Sequence, residues 1–370
     1  MIFIFLCISL LFSYELFVRV GIKDNVKSFQ VFCDEKNYVI VRSYNDKILK
    51  KIINPFYVVL SRDGKKVKIL NESYFLPLKL YSKSNISIDG KFYPGTIEIF
   101  SKNKSLILVN VLDIENYLYG VIPYEVVSSW PDEMLKVQAI IARTYTISHL
   151  GRHKYDGYDV CSTFHCQVYN GISEKMHQRV KEAVDATRGL VIVDKIKNTP
   201  IQAYYHAACG GATDNVVEIW GDVCSFRYLC GVKCDFCKNS PYYQWEYEIK
   251  IEEFIKTLNK NGFSLKNIKK LQILSYTKNG RAKEIKIITE NLPLIVKAED
   301  LRKMFGYTSI KSTKINDIEI RNKNIIFSGK GWGHGVGLCQ WGAATLAFKG
   351  KSFKEIISYY YPFTTVKKYR

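Results

Sequence analysis

Carboxylates are scarce in this chain of 370 residues: 35 Asp and Glu stand against 54 Lys and Arg, a net charge of +19. That deficit excludes an acidic solvating tail and favours polyanionic partners such as acidic glycan, anionic lipid or nucleic acid. Proline is sparse at 9 and glycine amounts to 23, which excludes a collagen-like repeat and a proline-rich spacer. No apolar run reaches the ~20 residues that span a bilayer. The longest uninterrupted one, residues 2–12 (IFIFLCISLLF), has instead the length of a signal-peptide apolar region. Its flanks are irregular, with no Lys or Arg before it and a poor cleavage sequence at Leu11-Phe12-Ser13, so an amino-terminal core strand is the alternative. Internal repeats, the GxxxxGK[ST] phosphate loop and a GxGxxG turn before a helix are absent. What remains is ordinary globular material, 47% hydrophobic and 24% charged, enriched in rings at 14% with 26 Tyr.

Along the chain, residues 1–14 form the apolar leader, and residues 15–105 read as β-rich. LFVRVGI, YVIVRSY, FYVVLSRDGKKVKIL and GTIEIF alternate or run apolar between Gly, Asn, Asp and Ser turns. The polar turn Ser101–Ser105 marks a boundary, after which residues 106–370 mix helix and strand. The expected fold class is α+β, a β-rich amino-terminal region joined to a mixed α/β domain. The spacing predicts a helix over Pro131–His149, with Ser129 and Asp132 as a capping box and Met134, Val137, Ile141 and Tyr145 on its buried face. A second helix is predicted over Glu174–Thr187, stopped by Gly189 and followed by the strands LVIVD and IQAYYHA. Residues 246–330 carry no evident chemistry.

Several groups of residues can do chemistry. Glu125, in a short loop between Pro123 and the predicted helix, is surrounded by Ile122, Val126, Val127 and Trp130. Burial there would push a carboxyl toward general-acid range, while a helix amino terminus would favour the charged form. Lys136 and Arg143 lie two turns apart and offer either a cationic face for an anionic ligand or a solvated one balanced by Asp132 and Glu133. Cys161, His165 and Cys166, with His153 nearby, form a candidate zinc set; a Cys161–Cys166 disulfide beside a structural His165 is the alternative. Cys224, Cys230, Cys234 and Cys237 form a second group, open between a second zinc and two disulfides. The glycine-bearing segments HAACGGAT and GKGWGHGVG, carrying His206 and His334, read as site walls that a ligand approaches closely. A cysteine nucleophile paired with His206 has no third orienting group.

Taken together, NYLYGVIPYEVVSSWPDEMLKVQAIIARTYT, YDVCSTFHCQVYNG, AVDATRGLVI, YYHAACGGATDNVVEIWG, CDFCKNSPYYQW, GKGWGHGVGLCQWGAATLA and ISYYYPFT resemble, in collinear order, the stage II sporulation protein D family. That family includes relatives described as amidase enhancers. The resemblance implies a lytic transglycosylase with an active-site cleft, acting on peptidoglycan strands stripped of stem peptides by a partner amidase. It places Glu125 on the catalytic glutamate, and Lys136 and Arg143 on the helix's basic residues. Tyr124, His206, Gly210, Gly211, Thr213, His334, Gly335 and Gln340 fall on substrate-binding positions. Cys161, His165 and Cys166 fall on a zinc loop, with His153 as fourth ligand and the metal structural. Cys209 and Cys339 are departures, standing where many members have Ser. The chain is expected to be exported to the periplasm or cell envelope, soluble or held at a membrane surface, and to have no nucleic-acid partner. The alternative function is a non-catalytic glycan-binding protein that stimulates an amidase.

Overall fold

A computed structural model of the chain describes residues 16–34, 36–53, 55–172, 178–221, 226–290 and 292–369. The apolar leader, Cys224 and the start of the helix predicted at Glu174 lie outside them. The chain divides into two compact units, each assembled from separated segments. Unit 1 comprises residues 1–127, 149–189 and 368–370, and unit 2 comprises residues 128–148 and 190–367. The division differs from a boundary at residue 105, because the strand Ser105–Asp113 pairs on both sides with strands of the β-rich region.

Unit 1 holds a seven-stranded and a six-stranded sheet. In the first, Ser105–Asp113 lies between Phe17–Val26 and Thr96–Lys102, antiparallel to both. Its sequence SLILVNVLD is almost continuously apolar because it is covered on both faces, whereas Phe56–Leu60 and Lys66–Ile69 alternate buried and exposed residues. Asn110, the polar exception in the central strand, is fully buried. It donates to Pro94 O at 2.7 Å and accepts from the Tyr169 hydroxyl at 2.6 Å.

From that strand the chain enters α1 (Ile114–Glu125), whose first turn is capped by Asp113 accepting from the amides of Glu115 and Asn116. Pro123 does not break α1. It withholds only the N–H it lacks, and the helix closes on Val126 N donating to Ile122 O. Gly120 is required in this helix because a Cβ there would stand 2.5 Å from the ring of Tyr169. α3 (Gln178–Ala186) is tied to α1 by Tyr119 donating to Asp185 and by Gly189 N donating to Glu115.

Unit 2 is organised around α2 (Asp132–Ser148), buried on most sides. Met134, Val137 and Ile141 are inaccessible, as expected, and so are Leu135, Ala139 and Ile140. The helix starts one residue after Pro131, whose carbonyl accepts from Met134 and Leu135. α2 is joined to the strand Leu190–Asp194 by Ile192 N donating to Thr144 Oγ1 at 2.9 Å. α4 (Val216–Trp220) is a short helix capped by Asn215. Residues 244–330 form two three-stranded sheets with α5 (Ile251–Lys260) and α6 (Ala298–Phe305), packed on a core that includes Trp245, Phe254, Ile285 and Phe327. α7 (Gln340–Phe348) and α8 (Phe353–Tyr360) close the unit, with a Trp130–Trp341 edge contact at 5.2 Å and Phe353 N donating to Glu133. No helix among the described residues is long and apolar enough to cross a membrane.

Candidate functional site

In unit 1, Glu125 is half-buried and is the last residue of α1, not a loop residue. It therefore sits at the carbonyl end of its own helix. Tyr124 and Val127 beside it are exposed, Tyr124 at 37%, while Val126 is buried and holds the turn.

The same unit gathers the complete first metal set. The strand Val160–Cys161 pairs parallel with Phe17–Val26, Gly21 opposite Cys161, and locks the first thiol to the sheet edge. Gly21 is bare because the Tyr158 ring occupies the space a side chain would take, and His153 stacks on that ring at 5.0 Å. Ligand atoms of His153, Cys161, His165 and Cys166 all lie within 4.8 Å of one another. Individual separations are 3.2 Å between His153 Nε2 and His165 Nδ1, 3.5 Å from His153 Nε2 to Cys166 Sγ, and 3.7 Å from His165 Nδ1 to each sulfur. A tetrahedral ion with bonds of about 2.0–2.3 Å requires ligand–ligand edges of about 3.3–3.8 Å, so the set fits one.

The outer contacts agree with that fit. Asp156 contacts His153 Nδ1 at 3.3 Å, leaving Nε2 toward the thiols, and Asp156 is itself held by Lys102 at 2.8 Å. A hydrogen bond shared by the two thiols pulls Cys161 down and pushes Cys166 up. None of the described cysteines is disulfide-bonded, including Cys161 and Cys166.

Lys136 and Arg143 belong to unit 2 and do not form one accessible cationic patch, which corrects the expectation from their spacing. Lys136 is half-buried and paired with Glu133 at 2.7 Å. Arg143 is fully buried and donates to Leu190 O at 3.0 Å, so one of its roles is to brace α2 against the following strand. Seven-residue spacing gives a shared helix face, but on a helix buried this thoroughly it says nothing about access to solvent.

The two glycine-bearing motifs meet in unit 2. Tyr205–His206 and Leu338–Cys339 form a short parallel ladder, and Ala208 and Trp332 exchange backbone hydrogen bonds. His206 and His334 stand edge to face at 5.3 Å, with Trp220 at 5.2 Å from His334 and Tyr204 at 4.8 Å from Trp220. Burial pushes both imidazoles down, His334 to about 3, which favours the neutral form of each. His334 donates through Nε2 to Tyr205 O and accepts at Nδ1 from Val336 N, which fixes its tautomer. His206 Nδ1 contacts Val336 O, and its buried Nε2 has no hydrogen-bond partner among the described residues.

The glycines of GKGWGHGVG do supply positive φ, at 76°, 115°, 82° and 73° for Gly331, Gly333, Gly335 and Gly337. The space they free is filled by the protein itself: a Cβ on Gly333 would meet His206, and one on Gly335 would meet the Arg281 guanidinium. Gly335 is therefore not a bare ligand wall. Gly210 likewise packs on Lys330, while a Cβ on Gly211 would come only into ordinary contact with Lys314 Nζ, at 3.8 Å. Thr213, at 1% exposure, turns its hydroxyl to Val232, and Gln340, at 6%, donates to Gln138. Neither is open to a ligand in this structure.

Sequence reasoning missed the group that holds the motifs together. Arg281 and Asp214 form a fully buried ion pair at 2.8 Å. Arg281 also donates to Cys209 O at 2.9 Å and Gly333 O at 3.4 Å, and Asp214 N donates to Gly335 O. Arg281 lies in the stretch that showed no chemistry, and only its place in the fold reveals it. The second cysteine group also differs from expectation. Cys230 is exposed and outside it, and the cluster is Cys209, Cys234, Cys237 and Cys339.

Comparison with known proteins places these features in a lineage. A family model described as stage II sporulation protein matches residues 102–193, and one described as a domain of unknown function matches residues 224–337. An uncharacterized protein of Brachyspira hyodysenteriae is 32% identical over 352 residues, covering 95% of this chain and 92% of the relative. The Bacillus subtilis amidase enhancer is 31% identical over 351 residues, 82% of this chain but 48% of that protein, so the chain spans about half of it. The Bacillus subtilis stage II sporulation protein D is 27% identical over 295 residues, 75% of this chain and 80% of the relative.

Proposed function

Because the chain belongs to the stage II sporulation protein D family, we propose that it is a peptidoglycan lytic transglycosylase. The substrate is a glycan strand stripped of its stem peptides, cut between N-acetylmuramic acid and N-acetylglucosamine. The observation that carries the reading is Glu125: a half-buried carboxyl on the last residue of a capped, tightly packed helix, inside the segment that matches the family.

In this mechanism protonated Glu125 donates to the glycosidic oxygen as the C1–O bond breaks. The resulting carboxylate takes the proton from the muramic C6 hydroxyl as that oxygen bonds to C1, giving a 1,6-anhydro end without water. An intramolecular nucleophile needs one residue that is acid and then base, whereas hydrolytic glycosidases need two carboxyl groups about 5–9.5 Å apart. Stripped strands expose lactyl carboxylates, which suits a chain of net charge +19. Arg143, being buried, acts as a positioning residue for α2.

We assign zinc to His153, Cys161, His165 and Cys166, two nitrogens and two sulfurs. Four protein ligands leave no open position, so its contribution there is to hold the loop in shape. Export to the cell envelope and partnership with an amidase complete the reading.

A second reading, a glycan-binding protein that stimulates an amidase without cutting, is favoured by the likeness to the amidase enhancer. Incubating the full chain with amidase-treated strands and analysing the products by mass spectrometry separates the two. The transglycosylase reading predicts 1,6-anhydromuramic ends; strands that sediment with the protein uncut would establish the second.

A further inference from the structure

Cys209, Cys234, Cys237 and Cys339 are each fully buried, and their sulfurs lie within 4.8 Å of one another in unit 2. Sequence separations are 25 between Cys209 and Cys234, 3 between Cys234 and Cys237, and 130 between Cys209 and Cys339, so three remote segments converge on one point. We propose that these four thiolates hold a second zinc ion, distinct from the His153–Cys166 centre, that clamps together the two motifs carrying His206 and His334.

Three features distinguish the cluster from four cysteines packed as small hydrophobes. First, main-chain amides point at the sulfurs. Cys209 N donates to Cys339 Sγ at 3.3 Å, Gly342 N donates to the same sulfur at 3.4 Å, and the Gly210 amide bonds Cys237. Amide donors stabilise charged thiolate, and such contacts are the usual outer support of a metal thiolate. Second, the backbone is cut to fit. A Cβ on Gly342, in the first turn of α7, would stand 2.6 Å from Cys234 Sγ, so only glycine lets α7 close over the cluster. Third, Cys234-Asp-Phe-Cys237 has the two-residue separation with which one tight turn presents two ligands to an ion, while Cys339 caps α7 and Cys209 follows Ala208, which bridges to Trp332.

Four sulfur donors without carboxylate or imidazole select a thiophilic ion, and a closed, fully buried tetrathiolate set is the structural form of a zinc site. His206 is the ladder partner of Cys339 and lies three positions before Cys209, and His334 lies on the same run as Cys339. An ion bound by both cysteines would hold the two imidazoles in register through their own main chains. The centre does not depend on the transglycosylase reading.

The test is metal content and coordination of the full chain purified in reductant without chelator. The proposal predicts two zinc ions per chain. Zinc X-ray absorption should average three sulfurs and one nitrogen per ion, because one site supplies two of each and the other four sulfurs. A Cys161→Ser, Cys166→Ser variant should retain one zinc with an all-sulfur shell at about 2.3 Å. A Cys237→Ser, Cys339→Ser variant should retain one zinc with a mixed shell. One zinc in the wild type with a mixed sulfur and nitrogen shell, an averaged shell of equal sulfur and nitrogen, iron in place of zinc, or a disulfide within the cluster in freshly prepared protein would each overturn the assignment, whereas one zinc with an all-sulfur shell would uphold it and overturn the His153–Cys166 centre instead. The wild-type measurements decide the matter even where a variant fails to fold.

Discussion

Arg281 and Asp214 show how much a single buried pair can govern. Each is wholly inaccessible, and Arg281 reaches both glycine-bearing motifs through Cys209 O and Gly333 O. Removing one partner leaves an uncompensated charge in the interior, which typically costs about 3–5 kcal/mol. Arg281→Met should therefore lower unfolding stability by that order in urea titration, whereas an exposed control such as Lys278→Met should change it by under about 0.5 kcal/mol. His334 gives a second prediction at this scale. Burial holds its folded value near 3 against an ordinary 6.5. Below pH ~6.5 the unfolded chain thus takes up a proton that the folded chain refuses, and stability falls as pH drops toward 3. The slope from this residue is at most about 1.4 kcal/mol per pH unit. Denaturant midpoints measured between about pH 7.5 and 5 should fall less steeply in His334→Gln than in the wild type. Parallel curves would show that the imidazole is charged in the fold.

Elements differ in how plainly the sequence announces them. α2 and the strand LVIVD were legible because periodicity, a Pro and a following Gly all agree, and the Cys161–Cys166 loop was legible because its ligands lie close together in sequence. The end of α1 was misread because Pro123 looks like a break, yet a Pro in the last turn removes a single hydrogen bond. The cluster of Cys209, Cys234, Cys237 and Cys339 was illegible as a set, since nothing local links Cys209 to Cys339 across 130 positions. The glycines signalled unusual backbone correctly, but the sequence could not say that His206 and Arg281 fill the space beside them. α1 offers its own test. Asp113 accepts from two first-turn amides at 3.1 Å, so Asp113→Ala should cost about 1 kcal/mol of unfolding stability, with Asp113→Asn closer to the wild type.

At the scale of the whole chain, function is divided between two units that the sequence does not separate. The proposed acid and the His153/Cys161/His165/Cys166 group belong to unit 1, and the His206–His334 pair and the four-cysteine cluster belong to unit 2. The stage II sporulation protein match spans Glu125 and the first centre. His206, Cys209 and Cys339 fall outside both family matches. The central claim remains that a single carboxyl group, first giving and then taking a proton, closes muramic acid on itself. The most direct measurement compares wild type with Glu125→Gln on amidase-stripped strands, quantifying 1,6-anhydro ends over time alongside strand binding and unfolding midpoint. The account predicts unchanged binding and stability with a rate lower by about 10²–10⁴; anhydro ends released by Glu125→Gln at the wild-type rate would contradict it.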